Sequence, residues 1–337
     1  MADRVTIGDI ARIASVSRMT VSRVINNEKG VGKETRQRIE TIIEEVDYRP
    51  SQIARSLATQ KTLTLGLVVQ DISNPFFSGI ARGIDQIARQ EGYSVLLCNT
   101  EEDSANEKEI LQVLEEKRVD GVLLCSSRLK REDLRNILPR FPSAVLVNRL
   151  LGEEDCAELV DSVIIDEDAG GSMATGHLLS RGHQKIAFLA GPQASFGSQG
   201  RRRGYESTIQ GAGIAVESEM IYPCEPTVEG GYAGTMHMLA SYPEITAIFA
   251  YNDLVAVGVL QACEEMDLSV PKDVALVGYD DIRLAALVTP SLTTCRIPRE
   301  EFGKIAGRLI LDRIHGKSEE CQIIVVHPEL IIRASAP

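Results

Sequence analysis

Two sets of side chains in this 337-residue chain have the types and spacing to do chemistry. The first is Arg18, Met19, Ser22, Arg23 and Asn26, which alternate at helical spacing with the apolar Val21, Val24 and Ile25. Guanidinium, hydroxyl and amide groups on one helix face can meet base edges and phosphates in a major groove. The second set consists of polar residues that directly follow short apolar runs. DISNPFF (Asp71 to Phe77) follows 65–69, Asn148-Arg149 follows 144–147, Asn252-Asp253 follows 248–250, and Asp280-Asp281 follows 274–277. Ligands of open α/β sheets bind outside the carboxyl ends of the strands, so these groups stand where a small molecule would be held. Phe76 and Phe77 add faces for a sugar or base to stack on, which is informative in a chain with only 4% aromatic residues. Asn and Asp also cap the loops that follow strands, so turn chemistry is the other reading of Asn252 and Asp280.

These side chains need elements to position them. Thr6 followed three residues later by Asp9 is a capping-box pattern that starts one helix, with Ile10, Ala11 and Ala14 on one face. Ser15-Val16 breaks the pattern, and Ser17 caps the second helix. Two short amphipathic helices can simply pack together. Here a third periodic segment, Ile39, Ile42, Ile43 and Val46, closes a three-helix unit small enough to be a module. From residue 64 onward, short apolar runs alternate with helical stretches, the signature of a parallel sheet covered on both faces. The spacing predicts strands at 65–69, 95–97, 122–125 and 144–147, with helices near 76–90, 105–117 and 131–138. A second set begins at 162–165 and continues at 186–190, 247–250 and 274–277, with helices near 169–180, 203–210, 230–240 and 254–266. The fold class is therefore α/β: a small all-α head and a core of two doubly wound lobes. A helix near 300–315 and strands at 323–326 and 330–332 come too late to complete the second lobe simply.

Composition narrows the partners. Apolar residues make up 44% of the chain, and no run approaches a membrane span or the apolar core of a signal peptide, so a cytoplasmic protein is expected. Seven cysteines stand singly with no CxxC pair, which reads as reduced thiols and neither disulfides nor metal ligands. The net charge of −12 is unevenly shared. Residues 1–61 carry 11 Lys/Arg against 8 Asp/Glu, leaving the remainder at −15. An acidic body is repelled by phosphates, so contact with DNA is expected from the head alone.

The ordered motifs carry a resemblance that covers nearly the whole chain. VTIGDIARIASVSRMTVSRVIN, then YRPSQIARSLA, then DISNPFF, GHQKIAFLAGP (Gly182 to Pro192), YND (Tyr251 to Asp253) and VGYDD (Val277 to Asp281) resemble the lac repressor family of bacterial transcription regulators. The resemblance implies a head over 1–50, a hinge over 51–61 and an effector-binding core over 62–337. It implies that the chain crosses between lobes as in periplasmic sugar-binding proteins, with a first lobe of about 62–161 plus 297–323 and a second of about 162–296 plus 324–337. Implied DNA contacts are Thr6, Ser17, Arg18, Met19, Thr20, Ser22, Arg23, Asn26 and Tyr48, joined in the hinge by Ala54 and by Leu57 as a minor-groove wedge. Implied effector contacts are Phe76, Phe77, Asn148, Arg201, Asn252 and Asp280; Arg201 precedes Gly204-Tyr205 in the family's spacing. The expected partners are palindromic operator DNA, a small-molecule effector, most naturally a sugar or sugar derivative, and a second copy of the chain.

The sequence also departs from well-known members. Pro226-Thr227 stands where some relatives place an aromatic against the ligand, and Ile297 replaces a residue that is polar in the lac repressor, so the effector need not be a galactoside. An enzyme on a doubly wound fold would need its own signature, and the chain has no GxGxxG after the first strand, no Walker loop and no GxSxG. His177 and His183 flank a helix end, as structural residues do. No catalysis, cofactor or metal is expected.

Overall fold

The computed structural model describes residues 5–25, 28–48, 61–152, 160–318 and 320–337. The chain divides into a unit of residues 1–62 and a unit of residues 63–337. In the first unit, α1 (Ile7–Ile13), α2 (Arg18–Ile25) and α3 (Lys33–Glu45) enclose a small core of Ile10, Ala11, Ala14, Val21, Val24, Ile39 and Ile42. The capping box is formed: the Asp9 amide donates to Thr6 Oγ1 at 3.3 Å while the Asp9 carboxylate accepts the Thr6 amide at 3.0 Å. Ser17 caps α2 by accepting from the Thr20 amide at 3.1 Å. Asn26, Ala54 and Leu57, and all of the expected hinge except Lys61, lie outside the described residues.

The second unit carries two sheets. The first contains β1 (Thr64–Val69), β2 (Ser94–Asn99), β3 (Gly121–Cys125), β4 (Ala144–Val147) and β5 (Asp161–Ile165), and is completed by β11 (Ile323–Val326) in the order β11-β5-β4-β3-β1-β2. The second contains β6 (Ile186–Ala190), β7 (Ile221–Pro223), β8 (Ala247–Ala250), β9 (Ala275–Asp280), β10 (Thr293–Arg296) and β12 (Glu329–Ile331), in the order β12-β10-β9-β8-β6-β7. Every pairing is parallel except β10 with β12. Central strands such as β3 and β8 are buried at every residue, which is why they read as unbroken apolar runs. The connecting helices are α4 (Pro75–Gln90), α5 (Ser104–Glu116), α6 (Arg131–Ile137), α7 (Glu167–Ser180), α8 (Phe196–Gly211), α9 (Val228–Ser241), α10 (Asp253–Glu265) and α11 (Arg299–Ile314). Among the described residues no helix is long and apolar enough to cross a membrane.

The crossings differ from the sequence reading in two places. The run at 162–165 does not open the second lobe. It pairs with β4 on one side and β11 on the other, inside the first sheet, and the chain crosses after it. Residues 324–326 likewise belong to the first sheet, so the last crossing comes at 327–328. A fully buried parallel strand has the same apolar signature in either sheet, and only its partners decide where it sits.

Candidate functional site

The head presents the expected face. Val21 and Val24 are buried, while Arg18, Met19 and Arg23 are exposed, Met19 at 65%, although its thioether gains nothing from water. The Arg18 guanidinium lies over Gly8, where a Cβ would meet its Nη2 at 3.1 Å. Thr6 and Ser17 are exposed caps, Thr20 and Ser22 are half-buried, and Tyr48 packs against the head core.

In the core unit, both sheets reverse strand order beside β1 and β6, and the loops leaving their carboxyl ends face one another. Asn74 caps α4 by accepting the Phe76 amide at 2.9 Å, and Pro75 sits at the first helical position, where its missing N–H is not needed. This fixes Phe76 and Phe77 in the first turn, edge to face with centroids 5.2 Å apart. All six residues expected to touch an effector, Phe76, Phe77, Asn148, Arg201, Asn252 and Asp280, line one cavity between the lobes. Asn74, Glu102, Ser126, Arg128, Pro226 and Tyr251 complete the lining. The free volume is ≈ 20 Å³, about enough for one water. A cleft of ≈ 680 Å³, lined in part by Asp71, Asn99, Glu101 and Cys224, shares Glu102 and Pro226 with it.

Charge in the cavity is held in one buried pair and one partly buried pair. The Arg201 Nε and Nη2 donate to Glu167 at 2.8 and 3.2 Å, and its Nη1 donates to the Tyr251 carbonyl at 2.6 Å. The guanidinium lies 3.6 Å from the centroid of the Tyr279 ring and 4.7 Å from that of Tyr251. Arg128 makes a two-point pair with Glu102 at 2.6 and 3.0 Å and donates to the Ser126 carbonyl at 2.6 Å. Asp280 differs. It stands 3.9 Å from Arg201, too far for a hydrogen bond, and its buried Oδ1 has no partner among the described residues. Burial pushes its carboxyl up to about 7, against the pull of Arg201 and with a further push from Glu167. Its backbone is also in the left-handed region, with φ 101°, a conformation that costs free energy and concentrates at ligand clamps.

The remaining candidates divide. Asn252 caps α10, its Oδ1 accepting the Val255 amide at 2.8 Å, and it also stands at the cavity wall. Arg149 is absent from the cavity lining; its Nη2 donates to the Leu129 carbonyl at 3.0 Å. Arg202 and Arg203, the next two residues of α8 after Arg201 and a basic run that could have favoured an acidic effector, form exposed pairs with Glu206 and Asp168. Pro226 lines the cavity, its carbonyl accepting from Asn252 Nδ2 at 3.3 Å, and Ile297 is buried in the core. His177 and His183 bond to the Ala336 carbonyl and the Thr246 hydroxyl. Cys98, Cys125, Cys224, Cys263, Cys295 and Cys321 are free thiols. A wider hollow of ≈ 720 Å³ lies beside the start of α11, but Arg82, Arg296 and Lys304 there are paired with Glu300, Asp281 and Glu301 at its rim. The inner cavity joins unspent hydrogen-bonding capacity, at Asp280 Oδ1, to aromatic faces.

A helix-turn-helix head joined to a two-lobed core with a ligand cleft defines a DNA-binding regulator governed by a small molecule. Residues 6–51 match the bacterial regulatory proteins of the lacI family, and residues 62–333 match the periplasmic binding proteins and sugar binding domain of the LacI family. The chain is 36% identical to the ribose operon repressor of Escherichia coli (strain K12), covering 98% of this chain and 99% of the relative. It is 34% identical to the HTH-type transcriptional repressor PurR of Photobacterium profundum, covering 98% of each. The lac repressor dimer bound to operator and the anti-inducer ONPF superposes with a TM-score of 0.87 at 26% identity, over 99% of both chains. The chain belongs to the LacI family.

Proposed function

We propose that this repressor binds a two-fold operator as a homodimer and that a neutral sugar is its effector, with ribose the first to test. The observation that carries the sugar reading is the convergence of Arg201, Asp280, Asn148 and the Phe76–Phe77 pair on one buried cavity. An arginine donates to a hydroxyl that a carboxylate accepts from, and aromatic faces cover the apolar side of the ring. The two arginines of the lining face three carboxylates, Glu102, Glu167 and Asp280, so no surplus positive charge is left to recruit an acidic ligand. The ribose operon repressor among the relatives supports a pentose. A cavity of ≈ 20 Å³ is far below the roughly 300 Å³ or more of ordinary ligand sites, so a sugar enters only as the lobes separate. That separation couples occupancy to the state of the core. One reading helix per chain calls for a pair on a two-fold site. The edge strand β2 leaves Leu96 and Leu97 exposed, at 38% and 50%, a surface that a second copy would cover.

The test is a thermal-shift panel of pentoses, hexoses, disaccharides, sugar acids and nucleobases, followed by band shifts with operator fragments and sedimentation. A ligand of the folded form raises the melting temperature as its concentration exceeds Kd. No shift with any sugar would end the sugar reading, and a monomer at operator-binding concentrations would end the dimer reading. Replacing Arg18 by alanine is expected to change operator preference by about 1–3 kcal/mol at one base pair while the melting temperature holds, because Arg18 is exposed. Binding-site selection on both proteins measures it; identical selected sites would remove Arg18 from the reading face.

A further inference from the structure

Glu167 had no place among the expected effector residues, yet it holds two of them. It begins α7 directly after β5, at the point where the chain leaves the first sheet. Its side chain is 1% exposed. The carboxylate accepts from Asn148 Nδ2 at 2.8 Å, and Asn148 extends from β4 of the first sheet. It also accepts the two-point grip of Arg201, which belongs to α8 of the second lobe. The sequence clears room for it: a Cβ at Gly197 would come 2.8 Å from its Oε1, and one at Gly200 would come 2.5 Å from its Cβ.

Arg201 therefore faces two buried carboxylates and is committed to one. With Nε and Nη2 drawn to Glu167, the guanidinium stays 3.9 Å from Asp280, whose Oδ1 remains without a donor. We infer that Glu167 is a positioning residue of the effector cleft, holding Arg201 off Asp280 so that the Asp280 oxygen stays available to a ligand hydroxyl, and tying this arrangement to Asn148 across the lobes. The inference rests on the reading of this cavity as the effector site. Without the Glu167 charge, Arg201 is free to close on Asp280, and the acceptor is spent inside the protein.

Titration separates this role from simple packing. Asp280 is faced by Arg201 from α8, Glu167 from α7, Arg299 from α11, Asp253 at the start of α10 and Cys295 on β10. Burial and Glu167 raise its pKa to about 7, while Arg201 and Arg299 lower it. A carboxyl raised in the folded state binds more protons there than in the unfolded chain, so its contribution to stability falls as pH rises from its ordinary value toward the folded one and is level above that. Removing Glu167 takes away a raising charge and frees a lowering one.

The experiment melts the full-length protein without ligand from pH 5 to 9 as parent, D280N, E167Q and the double variant. In the parent background, the advantage of D280N over Asp280 should grow with pH and level off near 7. With E167Q it should be level across the range. An inflection that stays near 7 in the E167Q background overturns the inference. If E167Q does not melt cooperatively, E167A replaces it, since it too removes the carboxylate that holds Arg201, and an unmoved inflection there counts equally against the inference. In a second arm, ribose and the sugar panel are titrated calorimetrically at pH 8. E167Q should weaken the binding of whichever sugar the parent takes by about tenfold or more, and equal affinity overturns the inference. Binding of no sugar by the parent defeats the effector reading instead, while the melts still decide what Glu167 does to Asp280.

Discussion

A protein in which Arg201 is replaced by methionine is expected to lose about 3–5 kcal/mol of stability in its core unit at pH 8, together with its response to effector. Methionine keeps much of the side-chain length and the contact with the Tyr279 and Tyr251 rings, but it brings no charge and no donors. Glu167, 1% exposed, then loses the partner that takes both its oxygens, and the Tyr251 carbonyl loses its donor. Leaving one member of a buried pair uncompensated costs far more than the intact pair contributes, which sets the magnitude. The sign of the pH dependence follows. Without Arg201, the buried Asp280 carboxyl loses the cation that most lowers its pKa, so in the folded state it takes up a proton more readily. The penalty is thus full at high pH and is relieved as pH falls. Urea unfolding at pH 8 and pH 5.5, followed by a probe of the core unit, measures this. A loss below about 1 kcal/mol at pH 8, or a larger loss at pH 5.5, would show that Glu167 does not depend on Arg201.

How much of this was legible in the sequence depends on whether the signal was local. The capping pair Thr6 and Asp9 and the apolar spacing of Val21 and Val24 are local, and the head follows from them residue by residue. Asp71 to Phe77, Asn148, Asn252 and Asp280 were legible because each lies at or just past the carboxyl end of an apolar strand, a position the parallel-sheet pattern marks without knowledge of which strands pair. Arg201 lies inside α8 and was visible only through the family's spacing. What stayed hidden depends on strand order and on distant partners. Ser126 and Arg128 also follow a strand, β3, but nothing in the run Ser126-Ser127-Arg128 says that β3 lies next to β1 at the reversal of the sheet. Glu167 sits in an Asp-Glu-Asp run at a helix start, where acidic residues are ordinarily explained by the helix dipole. Its link to Arg201 spans 34 residues, and no spacing rule reaches that far. The strand at 161–165 could be assigned to the first sheet only once its register with β4 was known.

Replacing Asp280 by asparagine is expected to leave operator binding in place and to raise the effector concentration needed for half response about tenfold to a hundredfold. The backbone tolerates the change, since asparagine is among the few residues that accept the left-handed conformation found here, φ 101°. The head is a separate unit, ending at residue 62, so the substitution does not alter its reading face. What changes is one atom at the cavity wall. The Oδ1 of Asp280 is buried and has no partner among the described residues, which makes it an acceptor that a ligand hydroxyl can use. An amide in its place either presents a donor where the ligand has a donor, or turns its single oxygen to the ligand and aims its NH2 at Arg201, 3.9 Å away, cation against donor. Either arrangement leaves a buried group unsatisfied, at a cost of about 1–3 kcal/mol, which is the stated factor in affinity. The pH dependence adds a second signature. In the parent, effector affinity should rise as pH increases through about 7, because only ionised Asp280 offers both oxygens as acceptors; asparagine does not titrate, and that rise should vanish. Titrating the sugar found by the thermal-shift panel against a preformed operator complex at pH 6 and pH 8 measures both effects at once. A mutant that responds at the parent's concentration would take Asp280 out of the site, and one that loses operator binding without effector would make it a structural turn residue.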